Sequence, residues 1–271
     1  MTDHSSSSYW NERFRLYGES RGTYKAICSY GMPYLYNRYI DIVQKKALGS
    51  ALNALQLEGK SVLDIGCGSG RWCRILAEKG TYVTGVDISE QAIALARRAT
   101  MNDKIRFLVS SIADLELPHH SFDVITCVTV LQHVVDPDEL ERSLSIIKQL
   151  LKPHGNVVIM EVAPTVTESR HSTRVLRVRT ETDYLELLSG IGLKLEKALS
   201  TDVVSLVQKR LIPVSGKIHQ IFFRSLVNIA VLLSFPFDYL FAGSRFLLTN
   251  SWHKVFVFSN PGSGKELKGW P

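Results

Sequence analysis

Residues 61–72 read SVLDIGCGSGRW: an apolar run ending in an acid, then Gly66, Gly68 and Gly70, then Arg71 and Trp72. A short β-branched run of this kind suits a buried parallel strand. Glycine costs folding entropy, so three at one corner imply a need for bare backbone. At the carboxyl edge of a parallel sheet such a turn lets a ligand approach the main chain. The helix that follows offers unpaired N–H groups.

Working outward, strand and helix patterns alternate. GRWCRILAEKG has helical spacing and stops at Gly80, and YVTGVDIS reads as a second strand. Ser89 then caps EQAIALARRA. IRFLVSS and FDVITCVTVL read as third and fourth strands. Asp136-Pro137 opens a helix, and NVVIMEVAP is a fifth strand. Later come a helix and strand in RTETDYLELLSGIGLKLEKAL and a last strand in WHKVFVFSN. This alternation predicts βαβ units and an α/β, doubly wound, mostly parallel sheet covered on both faces.

The expected divisions are an N-terminal aromatic-rich cap over 1–58 and a main domain over 59–260. A helical insertion is expected at about 205–249 and a disordered tail over 261–271. The cap holds Tyr9, Tyr17, Tyr24, Tyr30, Tyr34, Tyr36 and Tyr39. The opening MTDHSSSSYW is polar, so no secretory leader is expected. The four cysteines (Cys28, Cys67, Cys73, Cys127) show no metal-ligand spacing and read as reduced thiols, which fits a cytoplasmic setting.

Net charge is +6, and its placement is uneven. Residues 165–271 hold 14 Lys/Arg against 8 Asp/Glu, while residues 1–164 balance at 18 and 18. Attraction to anions therefore belongs to the C-terminal part. The basic residues there form no run of five, so no nucleic-acid partner is expected.

The glycine spacing is G-x-G-x-G, and Asp87 ends the second strand, 17 residues beyond Gly70. A carboxylate at that place can accept both hydroxyls of a ribose. With these features, LDIGCGSGRWCRILAEKGTYVTGVDISEQAIALAR resembles the signature of class I S-adenosylmethionine-dependent methyltransferases. FDVITCVTVLQHVVDPDELERSLSIIKQLLKPHGNVVIMEV resembles the later motifs of that family, closest in style to its quinone-biosynthesis and small-molecule branch. The resemblance covers about residues 60–164.

It implies a seven-stranded sheet with an antiparallel last strand and S-adenosyl-L-methionine as cofactor. Asp64 would fix the glycine loop and help hold the cofactor's amino group. Gly66, Cys67 and Gly68 would lie against the methionine moiety, with Gly70 completing the turn. Asp87 would bind the ribose and Ile88 would pack on adenine. Cys127 and Val128 would face the methionine part. Many relatives have Asp-Ala after the third strand. SSIADL places Ser111 there instead, leaving the Ile112 backbone and Asp114 as adenine contacts.

On the acceptor side the candidates are weaker signals. His133 is a candidate general base, with a structural or cofactor-side role as the alternative. Glu161 reads equally as a substrate contact or a structural acid. His171, Arg174 and Arg179 occupy one loop beyond the fifth strand, where a carboxylate or phosphate could be met. A solvated basic loop is the plainer reading. The expected reaction is methyl transfer to an oxygen or nitrogen of a small-molecule acceptor, with a lipid or prenylated quinone as the alternative.

The apolar stretch Ile218–Leu248 is expected to be a buried helical cap over the substrate site. A peripheral membrane contact and a dimer face are the alternatives. Arg224, Asn228, Pro236, Asp238 and Arg245 argue against a crossing helix, and Pro236 predicts two short helices.

Overall fold

The computed structural model describes residues 6–18, 32–167, 172–202 and 217–262, with backbone only over 217–223. Seven strands form one sheet: β1 (Ser61–Ile65), β2 (Tyr82–Asp87), β3 (Ile105–Val109), β4 (Phe122–Val128), β5 (Leu151–Val162), β6 (Lys194–Ser200) and β7 (His253–Ser259). Their order is β3-β2-β1-β4-β5-β7-β6. Neighbours are parallel from β3 through β5, and β7 runs antiparallel to both β5 and β6.

Seven helices are described: α1 (Ser6–Tyr17), α2 (Tyr34–Asn53), α3 (Arg71–Glu78), α4 (Glu90–Arg98), α5 (Pro137–Leu150), α6 (Glu181–Gly190) and α7 (Lys217–Phe241). Local chemistry sets their ends. The Ser89 hydroxyl accepts from the Ala92 N–H at 3.1 Å, and Asp136 accepts from the Glu139 N–H at 2.8 Å. Thr180 and Asp183 cap α6 reciprocally. Gly80, at φ +83°, ends α3.

Two apolar layers hold the sheet. One packs α2, α3, α4 and the buried stripe of α7 against one face, and the other packs α5 and α6 against the opposite face. Both layers draw on alternating residues of the same strands. Val62, Val124 and Val158 go to the first, and Leu63, Ile125 and Val157 to the second.

Two expectations about the apolar stretch are corrected. α7 is one continuous helix with Pro236 inside it. Pro236 is exposed, so the carbonyl it strands can face water. Packing of Val227 and Val231 before it and Asp238 and Ala242 after it keeps the two halves in line. Nor does the described part of this stretch cap the substrate site, because none of it lines the main cavity. α7 lies on α2, where the Tyr39 hydroxyl donates to Asp238 Oδ2 at 2.6 Å. Its other side leaves Leu232, Leu233 and Leu240 at 64, 78 and 67 % exposure. Arg224–Phe241 is long and apolar enough to cross a membrane by length and composition.

Tyr24, Tyr30, Cys28, His171 and residues 263–271 of the expected tail lie outside the described residues.

Candidate functional site

A cavity of about 600 Å³ opens over the carboxyl ends of the parallel strands. That is within the range of a ligand site. Its floor runs from Asp87 on β2, past the glycine loop and Val128, to Trp252 and His253 at the start of β7. Four strand steps separate β2 from β7 in the sheet order. At the ordinary spacing of neighbouring strands the floor is about 19 Å long. The roof comes from the N-terminal segment: Tyr9, Trp10 and Arg13 of α1, and Tyr36, Ile40 and Gln44 of α2.

At the β2 end the backbone does the shaping. Gly66, Gly68 and Gly70 have φ of +65°, +54° and +75°. All three lie in the left-handed region that a side chain opposes. A Cβ on Gly66 would meet Val130 Cγ2 at 2.2 Å. The Asp87 carboxylate accepts from the Gly68 N–H and the Ser89 N–H, each at 2.9 Å, and it lines the cavity. Burial raises its pKa, and those two N–H groups oppose the rise. Each oxygen keeps a lone pair for a ligand. Cys67, Ile88, Ser111, Ile112 and Val128 also line the cavity.

Several predicted contacts are displaced. Asp64 is behind the loop, 1 % exposed, where Thr126 donates to it at 2.7 Å and Cys73 at 3.2 Å. Desolvation lifts its pKa to about 6. It braces β1 against β4 and α3 and does not reach the cavity. Gly70 is likewise a turn residue behind the wall, against the Phe107 ring. Cys127 is fully buried, with its thiol toward Glu161. Asp114 is taken up by Ser111, whose hydroxyl donates to its carboxylate at 2.6 Å.

Glu161 and Arg179 also leave the acceptor site. Glu161 is fully buried and accepts the N–H groups of Val130, Leu131 and Gln132 at 2.9, 2.9 and 3.3 Å. Desolvation raises its pKa to about 7 against the pull of those donors. Arg179 is buried and donates to the carbonyls of Leu131 and Val134, both at 2.8 Å. A carboxyl group and a guanidinium thus grip the donors and the acceptors of one loop, Val130–Val134. This loop follows β4 and forms the cavity wall. Arg174 is exposed and does not line the cavity.

His133 does line the cavity, edge-on to Trp10 with centroids 4.8 Å apart. Gln132 Oε1 accepts from the Val162 N–H, so its amide nitrogen faces His133 Nε2 at 3.3 Å. The consistent tautomer donates from Nδ1 to the Val175 carbonyl at 2.5 Å. Burial depresses the His133 pKa to about 4, so the ring is neutral with both nitrogens engaged. That arrangement serves the wall better than proton transfer.

Two wall residues gave no usable signal in the sequence. Thr129 sits at φ +57°, a β-branched residue in the left-handed region at the cavity floor. His253 begins β7, and its Nδ1 lies 2.9 Å from Asp202 Oδ1. Only the late-strand pattern around WHKVFVFSN hinted at its placement.

Residues 63–159 match the family described as a methyltransferase domain. The mitochondrial ubiquinone biosynthesis O-methyltransferase of Schizosaccharomyces pombe is 34 % identical over 136 residues, 46 % of this chain and 48 % of that protein. The ubiquinone biosynthesis O-methyltransferase of Nitrosospira multiformis is 39 % identical over 104 residues, 37 % of this chain and 42 % of that one. The chain spans about half the length of these relatives or less. Magnesium protoporphyrin IX methyltransferase from Synechocystis PCC 6803, solved with bound SAM, shares the fold. Its TM-score is 0.60 at 17 % identity, covering 96 % of this chain and 99 % of that one.

Proposed function

From the methyltransferase-domain match over residues 63–159 we propose that the chain is a class I S-adenosylmethionine-dependent methyltransferase and that it transfers a methyl group to an oxygen or nitrogen of a small, largely apolar acceptor. The observation that carries this reading is the Asp87 carboxylate. It is held by the Gly68 and Ser89 N–H groups, faces the cavity, and keeps lone pairs for a ribose diol. The residues present fit S-adenosylmethionine. Ile88 and Ile112 offer an apolar slot beside Asp87, and the backbone of Gly66–Gly68 leaves room for the methionine part. Bound there, the cofactor supplies an electrophilic methyl carbon on a sulfonium.

The chain's own work is alignment. Val128, Thr129 and the loop gripped by Glu161 and Arg179 hold the floor, while Trp10 and Tyr36 exclude water from above. Such a transfer gains much of its rate from positioning. Calorimetric titration with S-adenosylmethionine tests the reading. Binding to the wild type that is lost in Asp87→Ala supports it, and equal affinity in both removes it.

A second reading concerns where the enzyme works, and the exposed side of α7 favours it. Ile229, Leu232, Leu233, Phe237 and Leu240 project into solvent. Arg224 and Arg245 flank them, and Lys46 sits 4.4 Å above the Tyr239 ring. An apolar strip edged with cations suits the surface of an anionic membrane. Burial of Asp238, Val227 and Val231 against α2 keeps the helix in the plane of that surface. The acceptor would then be lipid-like, a prenylated quinone being the class suggested by the relatives' names. Co-sedimentation with vesicles containing phosphatidylglycerol should be strong, weaken with salt, and fall at least tenfold in Leu232→Ser/Leu233→Ser. No pelleting of the wild type would leave a freely diffusing acceptor.

A further inference from the structure

His253 closes the cavity at the end opposite Asp87. It pairs in register with Val162 of β5 and is 8 % exposed, lining the cavity beside Trp252. Its Nδ1 is 2.9 Å from Asp202 Oδ1, and the Asp202 side chain is 0 % exposed. Asp202 is itself fixed in place. Its N–H donates to Ser251 Oγ at 3.2 Å, and its carbonyl accepts from that hydroxyl at 3.0 Å. Among the described residues Nε2 has no hydrogen-bond partner.

A carboxylate that accepts from Nδ1–H fixes the imidazole tautomer and leaves the Nε2 lone pair as an acceptor. His133 contrasts with it, since both of its nitrogens are engaged. Position adds a second argument. A ligand bound at Asp87 and the glycine loop covers the ends of β2, β1 and β4. The remaining length of cavity lies over β5 and β7, so an acceptor approaching the methyl group lies beside His253.

We propose that His253, oriented by Asp202, is the general base that removes the proton from an acceptor hydroxyl as the methyl group is transferred. This rests on the methyl-transfer reading above and names the group that completes it. The balance is simple. The hydroxyl oxygen forms a bond to the methyl carbon, and the carbon–sulfur bond breaks with its electron pair staying on sulfur. The hydroxyl proton passes to Nε2 and leaves from the imidazolium to water after product release. The substrate class is therefore a weakly acidic hydroxyl, such as a phenol, whose proton is still in place at neutral pH. A thiophenol, already ionised, would not need the base.

The test compares those two nucleophiles on the full chain, using isotopically labelled S-adenosylmethionine with 4-hexylphenol and 4-hexylthiophenol. His253→Gln should lower kcat on the phenol about 100-fold or more, the range for loss of a general base. KM, cofactor affinity and the thiophenol rate should stay within about threefold. Asp202→Asn should lower the phenol rate about tenfold, and imidazole should partly restore His253→Ala. As a readout besides turnover, diethyl pyrocarbonate should acylate His253 in the folded wild type, and 4-hexylphenol should slow that modification. This also serves if the variants do not fold. Wild-type phenol kinetics in folded His253→Gln, or an equal loss on both nucleophiles, would overturn the base. So would His253 acylation that 4-hexylphenol does not slow. A wild type that binds cofactor yet methylates neither compound defeats the methyl-transfer reading itself, and the base falls with it.

Discussion

At the β2 end of the cavity the recognition surface is drawn chiefly from one stretch of sequence, residues 66–88, with Ser110, Ser111 and Ile112 beside it, and made largely of backbone. At the β7 end it is assembled from Trp252 and His253 at the start of β7, with Asp202 just past β6 holding His253 from behind, and made of side chains. The first arrangement needs positive φ, an acid ending a strand and a helix start at fixed spacing, so it leaves a legible mark. The second needs only that Asp202 and His253, 51 positions apart, meet through an antiparallel pairing. One end can therefore be built once for a shared ligand, while the other is free to vary with the acceptor.

The largest expected effect breaks the β2 end alone. Gly66→Val puts a branched side chain at φ +65° where even a Cβ meets Val130 at 2.2 Å. Cofactor binding should be unmeasurable by calorimetry. Asp87→Ala removes two charge-assisted acceptors, each worth roughly 1.5–3 kcal/mol. Affinity should fall about 100-fold or more. If either variant folds and binds as the wild type does, the glycine corner is only a turn, and the comparison collapses.

A smaller effect separates support from contact. Arg179 and Arg174 come from one loop, yet one is buried on two carbonyls and the other is exposed. Arg179→Ala strands those carbonyls and leaves Glu161 without its nearby cation. A loss of roughly 3–5 kcal/mol in denaturant unfolding is expected. Arg174→Ala should leave both stability and acceptor KM unchanged. A raised acceptor KM in Arg174→Ala would restore that arginine to substrate binding.

The succession of strands and helices along the chain, the caps at Ser89 and Asp136, and the placement of Asp87 at the end of β2 were legible because each follows from local chemistry or period. The roles of Asp64, Glu161 and Arg179 were not. A motif marks where such residues stand along the chain, but not whether they face the cavity or its back. Glu161 lies two residues after Ile159, and only the alternation of a fully buried strand decides which way it turns. The α7 stretch was misjudged for a related reason. Its composition gives apolarity nearly all round, and α2 has room for only one stripe of it.

The smallest expected effect probes the wall that joins the two ends. Glu161 has its pKa raised from the ordinary 4.5 to about 7, chiefly by desolvation, so the folded state holds its proton more tightly than the unfolded chain does. Stability from this group is full below about pH 4.5 and is lost as pH rises toward 7. Asp64 and Asp87, also raised by burial, act with the same sign. His133, depressed to about 4 from 6.5, acts oppositely, adding stability as pH rises between those values. The wild-type curve therefore mixes signs, and Glu161→Gln isolates one contribution. The amide keeps an oxygen for the Val130 and Leu131 N–H groups and does not titrate. Relative to wild type, it should gain on the order of 1–3 kcal/mol between pH 5 and 7.5, a shift of several degrees in Tm. A constant difference across that range would mean that the three N–H donors outweigh desolvation. Glu161 would then be charged throughout, and the wall would be held by a full ion rather than by a group near its titration point.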